Sequence, residues 1–228
     1  MAKDILVKNK HAIQSTQPYR RSDMETLIKS IGLTLALFIS VMSYGQNEII
    51  QKAFSESYVS ENEKNYVAAL VPLKKVYDEK SYELNLRIGY LLFLNENYSE
   101  SKLYYTKACN LESKSIEARL GLANAIFSNA EYSLLKAVYE EILRIDPNHS
   151  VTNYRLGLIY YYAKDYATAL TFFKKINAMY PFDYDSLLMM GWTNYFLGKT
   201  TDAKLYFNKV LLYNPGDTSA TEGLDLIK

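Results

Sequence analysis

The sequence predicts an all-α protein assembled from a repeated helical hairpin, and three observations predict it. Pro147, Pro181 and Pro215 recur every 34 residues, each behind an apolar, helix-like run: EEILRIDPNH, KKINAMYPFD and NKVLLYNPGD. Four further columns keep the same period: Ile88, Leu122, Leu156 and Met190; Gly89, Ala123, Gly157 and Gly191; Tyr98, Tyr132, Tyr166 and Thr200; Tyr105, Tyr139, Phe173 and Phe207. Chance does not align four columns on one period, and a period of this length marks stacked supersecondary units. The third observation is compositional. Only 9 glycines and 5 prolines interrupt 228 residues, against 22 tyrosines, which favours helices over a sandwich or barrel.

Taken in order, the chain opens with residues 1–45, which read as an N-terminal extension and a targeting segment. IGLTLALFISVM, Ile31 to Met42, is apolar apart from Thr34 and Ser40, with Lys29 ahead of it. A dozen apolar residues is short for a membrane span, which needs about 20. It fits the hydrophobic region of a signal peptide. Ser43 and Gly45 are small at the two positions a signal peptidase reads, so cleavage is expected after Gly45. Met24, followed by ETLIKS, would begin a leader of ordinary length, so residues 1–23 are expected to lie upstream of the true start. The mature chain is therefore expected to be exported, periplasmic or associated with the cell envelope, and to carry no integral membrane span.

Residues 46–81 follow as a degenerate N-terminal repeat or capping helices, in which NYVAALVPLKKVY, 65–77, has the pattern of a second helix. Four full units come next: 82–115, 116–149, 150–183 and 184–217. In the third, TNYRLGLIYYYA and YATALTFFKKINAMY are two helices separated by Lys164 and Asp165. The small residue of the Gly157 column lets the two helices approach. The aromatic of the Phe173 column fills the space between them. Each proline ends its second helix, because the residue before a proline is driven out of the helical region. TSATEGLDLIK, 218–228, reads as a closing helix.

The units resemble the tetratricopeptide repeat family, whose pattern is W-x2-L-G-x2-Y, then A-x3-F, then P over 34 residues. Here LGLIY starts at Leu156, ATALTFF at Ala167, and Pro181 closes the unit; MGWTN, AKLYF and Pro215 do the same in the next. The opening tryptophan is absent, with Asn85, Arg119, Asn153 and Leu187 in its place, and Ser113 stands where the first unit would have its proline. The resemblance implies a right-handed superhelical solenoid whose concave face is lined by the first helix of each unit. It also implies a protein-interaction role.

Three consecutive tyrosines, Tyr160 to Tyr162, sharpen that expectation. Neighbouring side chains on a helix are splayed about 100° apart, so three adjacent rings cannot all face one core. Tyr160 falls at the family's packing position. Tyr161 and Tyr162 fall on the groove side, together with Tyr90, Phe93, Phe127, Tyr154, Trp192 and Tyr195. These rings are the candidate partner-binding groove, suited to an extended peptide or a partner helix. The plainer reading is that superhelix packing buries them. Arg87 and Arg155 share a column and are candidates to hold a carboxylate, although a solvated or inter-repeat salt bridge is the plainer reading for either. The lysine and asparagine clamp that some family members use on carboxy-terminal peptides is not matched. Leu86, Tyr90, Gly121 and Val151 stand at its places, and only Arg155 agrees.

No catalytic constellation is expected. His149 is the one histidine after Gly45 and follows Pro147 in a loop; Cys109 is the single cysteine. Neither has a partner in sequence for base, nucleophile or metal chemistry, and no phosphate-binding glycine motif is present. Asp146, Asp165, Asp183 and Asp185 lie at helix ends, where capping explains them. A net charge of +1 lacks the basic footprint of a nucleic-acid binder. The expected function is a non-catalytic scaffold without metal or cofactor, binding a protein or peptide. Two alternatives stand beside it: a groove that stacks a small ligand such as a glycan, and a structural subunit of a membrane-associated envelope complex that uses the convex face.

Overall fold

The computed structural model describes Lys29 and residues 47–227. The expected start at Met24, the apolar run 31–42 and the cleavage point after Gly45 lie outside the described residues. Helix α1 covers 47–62, followed by α2 (Tyr66–Lys75), α3 (Tyr82–Leu94), α4 (Tyr98–Leu111) and α5 (Ile116–Ser128). A 3-10 turn, Tyr132–Leu134, leads into α6 (Leu135–Ile145), and α7 (Ser150–Tyr162), α8 (Tyr166–Met179), α9 (Tyr184–Phe196), α10 (Thr200–Tyr213) and α11 (Thr218–Asp225) complete the chain. No strand occurs among the described residues. Helices α1, α3, α5, α7 and α9 are the first members of five hairpins, and α11 closes the solenoid.

Each helix begins and ends where local chemistry dictates. Asn65, Ser81, Asn97, Ser115, His149, Asp165, Asp183 and Asp217 are N-caps whose side chains accept a backbone N–H three residues on. Such caps contribute about 1 kcal/mol each. His149 is thus a cap for α7, with Nδ1 2.8 Å from Thr152 Oγ1, and half-buried rather than a free loop side chain. The three prolines come directly after the C-caps Asp146, Tyr180 and Asn214. Between the two helices of each hairpin the chain turns through one left-handed residue: Lys64, Glu96, Ala130, Lys164 and Gly198, with φ of 60°, 59°, 58°, 61° and 72°.

Within hairpins, an aromatic ring from the second helix fills a gap left by glycine on the first. A Cβ at Gly157 would sit 2.5 Å from Phe173 Cε1, and one at Gly191 2.5 Å from Phe207 Cε1. Phe173 and Phe207 are fully buried, and so are Leu84, Ile88, Leu156, Leu187 and Val210. Between hairpins, hydrogen bonds step along the stack. Tyr82 OH lies 2.8 Å from Ser115 Oγ, Tyr184 OH donates to Asp217 Oδ2 at 2.5 Å, and Trp192 Nε1 donates to Ser219 Oγ at 2.9 Å.

The third hairpin is irregular. Ser101, Ala169 and Ala203 are small at the column where α6 carries Leu135. Ala123 replaces the glycine of the facing helix. The larger side chains hold α6 away, and it starts through the 3-10 turn with no side-chain cap. An apolar trough of about 540 Å³ opens beside it, lined by Leu103, Leu122, Ile126, Leu134 and Val138.

Candidate functional site

The structure gathers half of the candidate rings into one ledge. Tyr161 and Tyr162, at the end of α7, lie 5.6 Å apart between ring centroids, and Trp192 and Tyr195 on α9 lie 5.8 Å apart. Phe196 joins the two pairs, 5.9 Å from Tyr161, 5.3 Å from Tyr195 and 6.2 Å from Trp192. Tyr166 stacks on the same ring at 4.8 Å. Offset and edge-to-face contacts at these spacings stabilise the cluster beyond its area burial. Its outer surface is open: Tyr162 is 78% exposed and Phe196 47%. Tyr161 is half-buried, and burial, followed by the neighbouring Tyr166 and Tyr162, pushes its phenol up to about 12. It is a neutral hydroxyl at any physiological pH.

The other candidates are placed differently. Phe93 and Phe127 lie against Tyr98 and Tyr132 at 5.6 Å and 5.4 Å, repeating the Tyr161–Tyr166 contact of 5.5 Å in earlier hairpins. Phe93 is half-buried and Phe127 exposed. Tyr154 packs on Phe173 at 5.9 Å and shares a trough of about 320 Å³ with Val151, the exposed Arg155, Asp183 and Asp185. Tyr90 and Arg87 belong to a separate and larger groove of about 860 Å³ between α1, α3 and α5. Tyr160 is half-buried and stacks on Phe172 at 5.5 Å, with Lys136 Nζ 4.8 Å from its ring centroid.

Arg87 is not a free cation. Its guanidinium meets Glu61 at 2.5 Å, donates to Ser57 Oγ at 3.2 Å and lies 3.9 Å from the centroid of the Tyr58 ring. Only 8% of the residue is exposed. It fastens α1 to α3, which is the inter-repeat salt bridge rather than the carboxylate-holding role. The residues that sequence reading overlooked come largely from α1, namely Phe54, Tyr58 and Glu61. The repeat period does not reach them. Glu83 and Glu117, which also line this groove, share a 34-residue column with Asp185, and that column was visible.

No group of three or more His, Cys, Asp or Glu among the described residues is placed to hold a metal ion. Cys109 is half-buried, and burial raises its thiol above the ordinary value. No helix among the described residues is long and apolar enough to cross a membrane.

Sequence profiles of the tetratricopeptide repeat match residues 82–115, 152–182 and 185–217. This chain is a tetratricopeptide repeat protein. Its structure is similar to that of a tetratricopeptide repeat protein from Parabacteroides merdae, with a TM-score of 0.68 and 20% identity over 79% of this chain and 72% of that one. MamA gives a TM-score of 0.64 at 20% identity, covering 72% of this chain and 91% of its own. YrrB, a tetratricopeptide repeat protein with an unusual peptide-binding site, gives 0.65 at 14% identity over 81% and 97%. At these identities the likeness is one of fold. No curated protein matches the tetratricopeptide chain by sequence.

Proposed function

We propose that the protein is a non-catalytic scaffold that holds an extended peptide or a partner helix along the surface formed by its first helices. The ledge of Tyr161, Tyr162, Trp192, Tyr195 and Phe196 carries this reading. It combines rigid rings packed on one another with an outer ring, Tyr162, that is 78% exposed. Rigid aromatic side chains supply contact area at little cost in side-chain entropy, and a few such anchors dominate binding energy at interfaces. The leader-like residues 24–45 support export, and so a partner in the periplasm or cell envelope.

Trp192 is the single tryptophan and belongs to the ledge, so its emission reports occupancy without a label. The test is crosslinking capture from the native host, followed by titration of each purified captured protein while Trp192 emission is followed. A genuine partner shifts the emission saturably. Replacing the two exposed rings, Tyr162→Ser with Phe196→Ser, weakens binding at least tenfold, the scale of one lost anchor. Equal affinity for the folded double variant would move the function off the ledge. Saturation by a mono- or disaccharide alone would favour glycan binding instead.

A further inference from the structure

The groove between α1, α3 and α5 has chemistry unlike that of the ledge. Its volume is about 860 Å³, room for several side chains, and its walls include Tyr58, Tyr82, Tyr90 and Tyr105. Three charged residues line it: Arg87, Glu83 and Glu117. Arg87 is matched by Glu61 at 2.5 Å. The two carboxylates have only hydroxyl donors, Ser81 Oγ at 2.9 Å from Glu83 and Tyr82 OH at 3.4 Å from Glu117. No lysine or arginine among the described residues forms a salt bridge with either of them.

Both carboxylates sit in the first turn of a helix, α3 and α5, where the macrodipole favours an anion. That explains their comfort but does not cancel them. A helix N-terminus carries roughly half a positive charge against a full negative one. The groove keeps a net negative potential beside electron-rich ring faces, and such faces attract cations. The protein already uses that property here, since the Arg87 guanidinium lies 3.9 Å from the centroid of Tyr58 and 5.7 Å from that of Tyr90. Arg87 forms part of the groove wall and is not itself a seat for the ligand. It is more than nine-tenths buried on the groove wall, and its Nε–H has no acceptor. Its charge is satisfied by Glu61, which leaves Glu83 and Glu117 as the unmatched charges of the groove.

We propose that the α1–α3–α5 groove seats a lysine or arginine side chain of the bound segment against Glu83, Glu117 and the tyrosine faces. This rests on the reading of the protein as a peptide scaffold, and it specifies the partner as a basic segment. A carboxy-terminal or acidic peptide is repelled from this end.

The test uses the full chain and three fluorescein-labelled peptides, Tyr-Ala-Leu-X-Leu-Ala-Tyr capped at both ends, where X is lysine, norleucine or glutamate. Anisotropy titrations at low salt should rank lysine about tenfold above norleucine, with glutamate weakest. Glu83→Gln with Glu117→Gln keeps side-chain shape and should bring the lysine peptide down to the norleucine level, with circular dichroism unchanged. Raising salt from about 0.05 M to about 0.5 M should erode the lysine advantage, because exposed charges are screened. Equal binding of the lysine and norleucine peptides, or a lysine preference that survives in the double Gln variant, overturns the proposal. If all three peptides bind alike and Tyr162→Ser with Phe196→Ser weakens them, the peptide-scaffold reading stands and the cation seat falls. If none binds up to millimolar concentration, the cation seat falls, while the scaffold reading is decided by the captured partner and the ledge variant.

Discussion

At Gly157 the space of the missing side chain is taken by Phe173, whose Cε1 lies 2.5 Å from where a Cβ would be. Phe173 is fully buried, so the ring cannot swing into solvent to make way. Gly157→Val should therefore strain the hairpin by about 1–3 kcal/mol, the usual cost of overpacking. Urea denaturation would show it as a lower midpoint with an unchanged slope. Adding Phe173→Leu should recover part of the loss, because residues in contact couple rather than add. This pairing was legible in the sequence, since the Gly157 and Phe173 columns keep one period. The pairing of Arg87 with Glu61 was not. The two positions are unrelated by the period, and the salt bridge exists only because α1 stacks on α3. Phe196 shares the 34-residue column of Tyr162, but its place as the joining ring depends on how α7 and α9 approach one another.

Helix ends were the most legible feature among the elements. A proline follows the C-cap of α6, α8 and α10, and Asn, Ser or Asp caps most starts. Pro72 shows the limit of such rules. It sits inside α2, where a proline removes one backbone hydrogen bond, yet the helix continues to Lys75 with Leu70 and Leu73 buried against the first core. Tertiary packing prevails over local propensity there. Helix α6 is expected to be less stable than the second helices that follow it. Leu135 pushes it outward, a 3-10 turn replaces a capped start, and Tyr132 and Leu134 are 58% and 45% exposed. Native-state hydrogen exchange should find the amides of 131–137 opening at lower free energy than those of α8 or α10, since local stability follows buried contacts and satisfied ends. Uniform protection across the three second helices would refute that ordering.

As a whole, the molecule is close to one-dimensional: each hairpin rests on its neighbours, and no single core spans the stack. Substitutions far apart along the solenoid should accordingly add. The left-handed turns make this useful. Four of the five are held by residues with a Cβ, Lys64, Glu96, Ala130 and Lys164, at φ near +60°. That conformation costs roughly 1 kcal/mol for such residues and little for glycine, which among these five turns stands at Gly198. Lys64→Gly, Glu96→Gly and Lys164→Gly combined should raise stability by about 1–2 kcal/mol and the melting temperature by a few degrees, read by calorimetry. None of the three lines the ledge or the grooves. The chain thus holds a reserve of stability in its turns. It can change groove residues that weaken the fold, recover stability at a distant hinge, and so change partners without losing the scaffold.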